Sequence, residues 1–185
     1  MEGNDQLAVI IPMLKELGGR IQPQQLDGAT PCESFTVTDV LGHMTGVASA
    51  FAPAFRGDPS PGESPPANTG DEDLMTRFQL AMDGLLDAVQ SPGALDRTIE
   101  TPFGPMPGST FARLVALDGL IHGWDLATST QQGWDPPASL VTEVDAFARQ
   151  ALVPEARGDR FEQAKEAPAG ATPLLRLVAF SGRTV

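Results

Sequence analysis

Tyrosine is missing from this sequence, cysteine occurs once and histidine twice. A lone cysteine, Cys32, cannot form an internal disulfide, which fits a reducing compartment and predicts a cytoplasmic protein. Basic residues are scarce: 12 Lys and Arg stand against 24 Asp and Glu, a formal charge of −12. Such a chain lacks the basic stripe that a nucleic-acid partner requires, and it would be repelled by an anionic membrane surface. No apolar run reaches 18 residues, so no bilayer-spanning helix is expected. The opening Met1–Asp5 has no basic stretch ahead of an apolar one, so no secretory leader is expected either. With only two imidazoles available, His43 and His122 each become candidates for chemistry.

Glycine and proline, by contrast, are plentiful at 19 and 17 residues, and they gather between apolar segments. That distribution reads as helices joined by rigid loops. Leu7, Ile10, Ile11, Leu14 and Leu17 recur at helical spacing, with Pro12 implying a late start or a kink. Thr36 caps a second helix with Asp39 three residues on, and Val40 to Phe51 supply its apolar face up to Pro53. Residues 55–70 are rich in Pro, Gly and Ser and read as a mobile loop. A third helix covers Glu72 to Val89. Thr98 to Phe103 reads as a short strand or extended arm, followed by a tight turn over Gly104–Gly108. A phosphate cradle there is disfavoured, because Pro105 and Pro107 remove two backbone amides. The fourth helix opens at Ser109 or Thr110 and ends before Gly133. A further helix spans about Ala138 to Leu152, and Leu174 to Phe180 forms a last short one. The expectation is an all-α fold in one domain over 1–185: a four-helix bundle in up-down order, with long connections and an additional C-terminal helix.

Asp118, His122 and Asp125 fall at i, i+4 and i+7, which places them on one face of the fourth helix among Leu117, Leu120, Ile121 and Trp124. A polar stripe in so apolar a helix is costly unless its members find partners. A carboxylate and an imidazole four residues apart can reach one metal ion, and His43 on the second helix could complete a three-ligand site with open positions. The same spacing also suits an ion pair on the helix surface or a buried hydrogen-bonded couple. It does not choose between Asp118 and Asp125 as the ligand.

Several separated runs carry a family resemblance: Thr30-Pro31-Cys32-Glu33, then Thr36-Val37 through Asp39-Val40-Leu41 to His43, Pro92 to Thr98, and Pro102-Phe103-Gly104 with Pro107-Gly108. To these add Leu120-Ile121-His122-Gly123-Trp124-Asp125-Leu126-Ala127 and the closing Leu174 to Arg183. Together they resemble the mycothiol-dependent maleylpyruvate isomerase N-terminal family of actinobacteria, in the DinB-like metal-binding superfamily. The resemblance implies a DinB-like four-helix bundle holding one divalent metal, zinc ahead of nickel, on His43, Asp118 and His122. Glu is commoner in the family where this chain has Asp118, a side chain shorter by one methylene. The resemblance gives Asp125 a hydrogen-bonding role behind the ligands or a part in closing the helix end, with direct coordination in reserve; Cys32, at a family turn position, reads as a small packing residue ahead of a reactive or metal-binding thiol. It further implies a transferase or isomerase that activates a low-molecular-weight thiol such as mycothiol against a small electrophile. The nucleophile would arrive with the thiol, so no catalytic side chain is required. A metal-assisted hydrolase using bound water, and a non-enzymatic metal- or ligand-binding bundle, are the alternatives. Arg56, Arg77, Arg97 and Arg113 are the cations available for steering a ligand. Either a monomer or a homodimer is compatible with the sequence.

Overall fold

The computed structural model describes residues 1–58, 73–102, 104–157 and 161–185. Four long helices form the body: α1 (Gly3–Gly19), α2 (Val37–Arg56), α3 (Leu74–Val89) and α4 (Gly108–Thr130). Behind them come α5 (Ala138–Ala151), the single turn α6 (Pro154–Arg157) and α7 (Pro173–Phe180). The fold is all-α and DinB-like, with long connections between the bundle helices and an extra C-terminal helix. Among the described residues, no helix is long and apolar enough to cross a membrane.

Local chemistry accounts for the helix boundaries, with two departures at prolines. The capping box at α2 forms as expected: Asp39 N–H donates to Thr36 Oγ1 (3.2 Å) and Thr36 N–H donates to Asp39 Oδ2 (2.9 Å). Asp73 starts α3 in the same manner, its carboxylate accepting from Thr76 N–H at 2.9 Å. α1 is continuous through Pro12, which lies on the exposed face, where water can meet the carbonyl deprived of its partner. α2 does not stop before Pro53 but runs on to Arg56 and closes at Gly57, in the left-handed region at φ 88°. Tertiary ties carry it past the proline. Phe55 is fully buried, and its carbonyl accepts from Arg97 Nη1 (3.0 Å) and Ser91 Oγ (3.4 Å). The start of the expected loop is therefore helix end and cap; residues 59–70 lie outside the described residues, as does Glu72.

The extended arm before α4 is a minimal hairpin. β1 (Thr98–Ile99) pairs antiparallel with β2 (Met106–Pro107), Thr98 opposite Pro107 and Ile99 opposite Met106. Phe103, the expected end of the arm, lies outside the described residues. α4 then begins at Gly108, whose amide donates to Arg97 O at 2.7 Å. A Cβ at Gly108 would sit 2.3 Å from Ala94 O, so only glycine lets the hairpin and the 3-10 turn Ala94–Asp96 close on the helix start.

The helices are not in up-down order. α1 and α4 run the same way: Gly3 lies against Ala112, and Gly119 against Ile10 and Leu14. α3 opposes α1, with Gly18 against Phe78 and Lys15 paired to Asp83. α2 opposes α4, since His43 meets Asp118 while Phe51 and Phe55 meet Phe111 further along. α2 and α3 are thus parallel, and the bundle reads up, down, down, up. The apolar stripes explain why this order closes: α4 is buried on nearly every side, by α1 on one flank and by α5 and α7 on the other. The other bundle helices, α1, α2 and α3, each bury a single face.

Candidate metal centre

α2 and α4 cross so that the polar stripe of α4 faces His43. Asp118 Oδ1 lies 3.4 Å from His43 Nε2 and 3.4 Å from His122 Nε2, and Asp118 Oδ2 is also 3.4 Å from His43 Nε2. These separations are long for hydrogen bonds. They are close to the edge of a tetrahedron of N and O ligands around zinc, about 3.3 Å for bonds of about 2.0–2.1 Å. The two imidazole centroids are 5.0 Å apart. His122 is buried, while the His43 and Asp118 side chains keep 35% and 30% of their surface exposed. One side of the cluster is therefore open to solvent, as a site that must admit a ligand requires. The shorter Asp118 still reaches both imidazoles.

Asp125 turns the other way along α4. Its carboxylate is fully buried, accepts from His122 Nδ1 at 3.0 Å, and is gripped by Arg183 through Nη2 (2.9 Å) and Nε (3.3 Å). An ionised carboxylate can only accept, so His122 carries its proton on Nδ1 and turns Nε2 toward Asp118. Asp125 thus stands behind the ligand set rather than in it.

The electrostatics follow from this crowding. His43 is held above the ordinary imidazole range chiefly by the Asp118 carboxylate facing its Nε2, against the opposing effect of burial. Burial pushes Asp118 up, but the two imidazoles against it, His122 and then His43, outweigh burial and hold the carboxyl below its usual value.

Two residues frame the site without having been singled out in the sequence. The Cys32–Phe35 turn closes through Phe35 N–H to Cys32 O (3.0 Å), with Ser34 in the left-handed region at φ 75°. It lays the Phe35 ring parallel to His122, 4° apart in plane and 6.5 Å in centroid, and edge-on to His43 at 6.1 Å. Cys32, expected to pack rather than to react or bind a metal, has its thiol within 4.8 Å of ligand atoms of His122 and Asp125. Burial raises this thiol, against the pull of Arg183. The Cys32 cluster is a weaker cation site, because the Arg183 fork already neutralises Asp125. As for the cations expected to steer ligands, Arg56 is bonded to Gly84 O, Arg97 to Phe55 O and Pro92 O, and Arg113 lies over the Phe147 ring. Arg183 is the guanidinium at the site. A sequence signal for Phe35 is its position immediately before the Thr36 cap; Arg183 had none beyond its place in the closing motif.

Residues 10–127 match the family model described as the mycothiol maleylpyruvate isomerase N-terminal domain. The chain belongs to that family. It is also 34% identical over 167 residues to the uncharacterized protein MT0763 of Mycobacterium tuberculosis strain CDC 1551 / Oshkosh, covering 89% of this chain and 88% of that protein. The same identity and coverage hold for the uncharacterized protein Rv0738 of Mycobacterium tuberculosis strain H37Rv. No solved structure matches the chain significantly. The family match spans α2 and most of α4, so all three members of the His43–Asp118–His122 cluster lie inside it. A cluster able to coordinate a divalent metal, on this family's bundle, supports a metal-dependent role in general terms.

Proposed function

We propose that His43, Asp118 and His122 hold one divalent metal, zinc ahead of nickel, and that the protein joins a low-molecular-weight thiol of the mycothiol kind to a small electrophile. The observation that carries the reading is the donor set itself. Two imidazole nitrogens and a carboxylate converge at 3.4 Å separations, with one imidazole already oriented by a buried carboxylate on its far nitrogen. When bound, such an ion lowers the pKa of a coordinated thiol, so that thiolate is available at neutral pH.

The chain's own residues do the rest. Asp125 holds the proton on His122 Nδ1 and keeps Nε2 free as a donor atom. Phe35 walls one side with an aromatic face, which limits the water that reaches the two imidazoles. The exposed flank of His43 and Asp118 leaves a path for the thiol. No nucleophilic side chain is needed, because the sulfur belongs to the co-substrate.

The test begins with metal content after purification without chelators and after exposure to zinc and nickel. About one ion per chain, lost in His122→Ala while helical circular dichroism survives, is expected. Cobalt(II)-loaded protein should then develop sulfur-to-metal absorption on adding a thiol, and electrophile consumption should require that thiol. A metal-free protein that refuses both ions would overturn the reading. Product formation without thiol would replace it with hydrolysis by bound water.

A further inference from the structure

The matched family segment ends at residue 127, yet the side chain that braces the cluster from behind comes from the closing tail. After α7, Ser181 and Gly182 wrap the helix end, Gly182 N–H donating to Ala179 O (3.0 Å) and Arg183 N–H to Val178 O (3.2 Å). Gly182 sits at φ 107°, and a Cβ there would lie 2.6 Å from Glu162 Cβ, so glycine is required at this bend. The bend sends Arg183 inward, where it is 8% exposed. Its guanidinium meets Asp125 as a fork: Nε to Oδ1 at 3.3 Å and Nη2 to Oδ2 at 2.9 Å. Oδ2 is the same oxygen that accepts from His122 Nδ1.

We propose that Arg183 is a positioning residue for the centre: by fixing the plane of the Asp125 carboxylate it fixes the ring of His122 and aims Nε2 at the cluster. The inference rests on the metal reading above for its consequence, but not for its geometry. The physical argument is one of pre-organisation. A carboxylate held at one edge by a single imidazole can rotate about its terminal bond, and the imidazole rotates with it. A planar guanidinium bonded to both oxygens removes that rotation, as a point charge would not. It also neutralises Asp125, so the carboxylate remains an acceptor for Nδ1–H. Among the described residues the Arg183 guanidinium hydrogen-bonds to Asp125 and to no member of the cluster, so its positioning effect runs through Asp125.

The experiment compares wild type with Arg183→Met and Arg183→Lys. If Met at this position fails to fold, Lys keeps the charge and loses the fork. The first readout needs no metal: imidazole proton–nitrogen spectra at a pH above the ordinary imidazole range should show a solvent-protected Nδ1–H on His122 in wild type. Either substitution should abolish that protection. The second is zinc affinity at 25 °C by competition with a chromophoric chelator. A loss of about 10–100-fold is expected for Met, the range typical of partners behind a metal ligand, with Lys falling between. Unchanged Nδ1–H protection and a zinc affinity within twofold of wild type, even with a lower melting temperature, would overturn the proposal and leave Arg183 a stabilising ion pair. A wild-type protein that binds no zinc would sink the metal reading, while the Nδ1–H comparison would still decide whether Arg183 orients His122.

Discussion

Gly42→Ala and Gly123→Ala are the same chemical change inside two helices, and the structure assigns them opposite signs. At Gly42 on α2 a new Cβ meets nothing within 4 Å. The substitution should therefore stabilise by about 0.5–1 kcal/mol, the usual gain of Ala over Gly in a helix interior. At Gly123 on α4 the new Cβ would lie 2.2 Å from Trp134 Cζ2 and 2.5 Å from its Cε2. The indole cannot readily yield, because it is 8% exposed and its Nε1 donates to Leu120 O at 3.2 Å. Forcing it aside costs about 1–3 kcal/mol of overpacking and about 1 kcal/mol for the hydrogen bond. Set against the helix-propensity gain, the net loss is about 1–3 kcal/mol. For a chain of this size that is a fall in melting temperature of about 3–10 °C, against a rise of about 1–4 °C for Gly42→Ala. Thermal unfolding followed by circular dichroism gives both numbers, and tryptophan emission reports whether Trp134 has left its seat. A Gly123→Ala protein as stable as wild type, with unchanged emission, would refute the reasoning.

Thr36→Ala should cost about 1 kcal/mol in urea unfolding, since it removes the oxygen that accepts from Asp39 N–H. Asp39 itself is held below its ordinary range by the Thr36 side chain and then by the Thr36 backbone amide. Its contribution is thus present above the usual carboxylate value and is lost as pH falls through the lowered one; an Asp39→Asn protein should show a flatter acid limb. In metal-free protein His43 has the opposite sign. Its raised value means that the folded state holds the proton more tightly, so its contribution is full below the ordinary imidazole value and fades as pH rises through the raised one. A His43→Gln protein should lack that slope in denaturation measured across pH. Zinc at 100 times its dissociation constant should add about 2.7 kcal/mol, or about 5–10 °C, and His122→Ala should abolish the shift in a melting scan.

Much of the fold was legible because it rests on local chemistry. Apolar spacing marked all four bundle helices, and Thr36 with Asp39 marked the start of α2 to the residue. The departures are tertiary. Pro53 should end a helix on its own, but the burial of Phe55 and the bonds to its carbonyl extend α2 by another turn. The order of the bundle was misjudged because helical periodicity says which face is buried but not which neighbour buries it. At the site, spacing placed Asp118, His122 and Asp125 on one face of α4 without choosing between the two carboxylates, whereas bringing His43 to them takes the packing of α2 on α4. Arg183 was out of reach for the same reason. It lies 58 residues from Asp125, and no periodicity spans that gap.

The direction of the helices also bears on how the chain emerges from a ribosome. α1 is made first, but its apolar stripe of Leu7, Ile10, Ile11, Leu14 and Leu17 is covered by α3 and α4 rather than by the next helix along. At synthesis rates of about 5–20 residues per second, the stretch from Gly19 to Thr130 takes about 5–20 s to appear. Until α3 is complete at Val89 the first helix has an adhesive face and no native partner, and α4 covers the rest of that face only once Thr130 has appeared. In an up-down bundle of the same composition, α2 would cover that face as soon as it appeared.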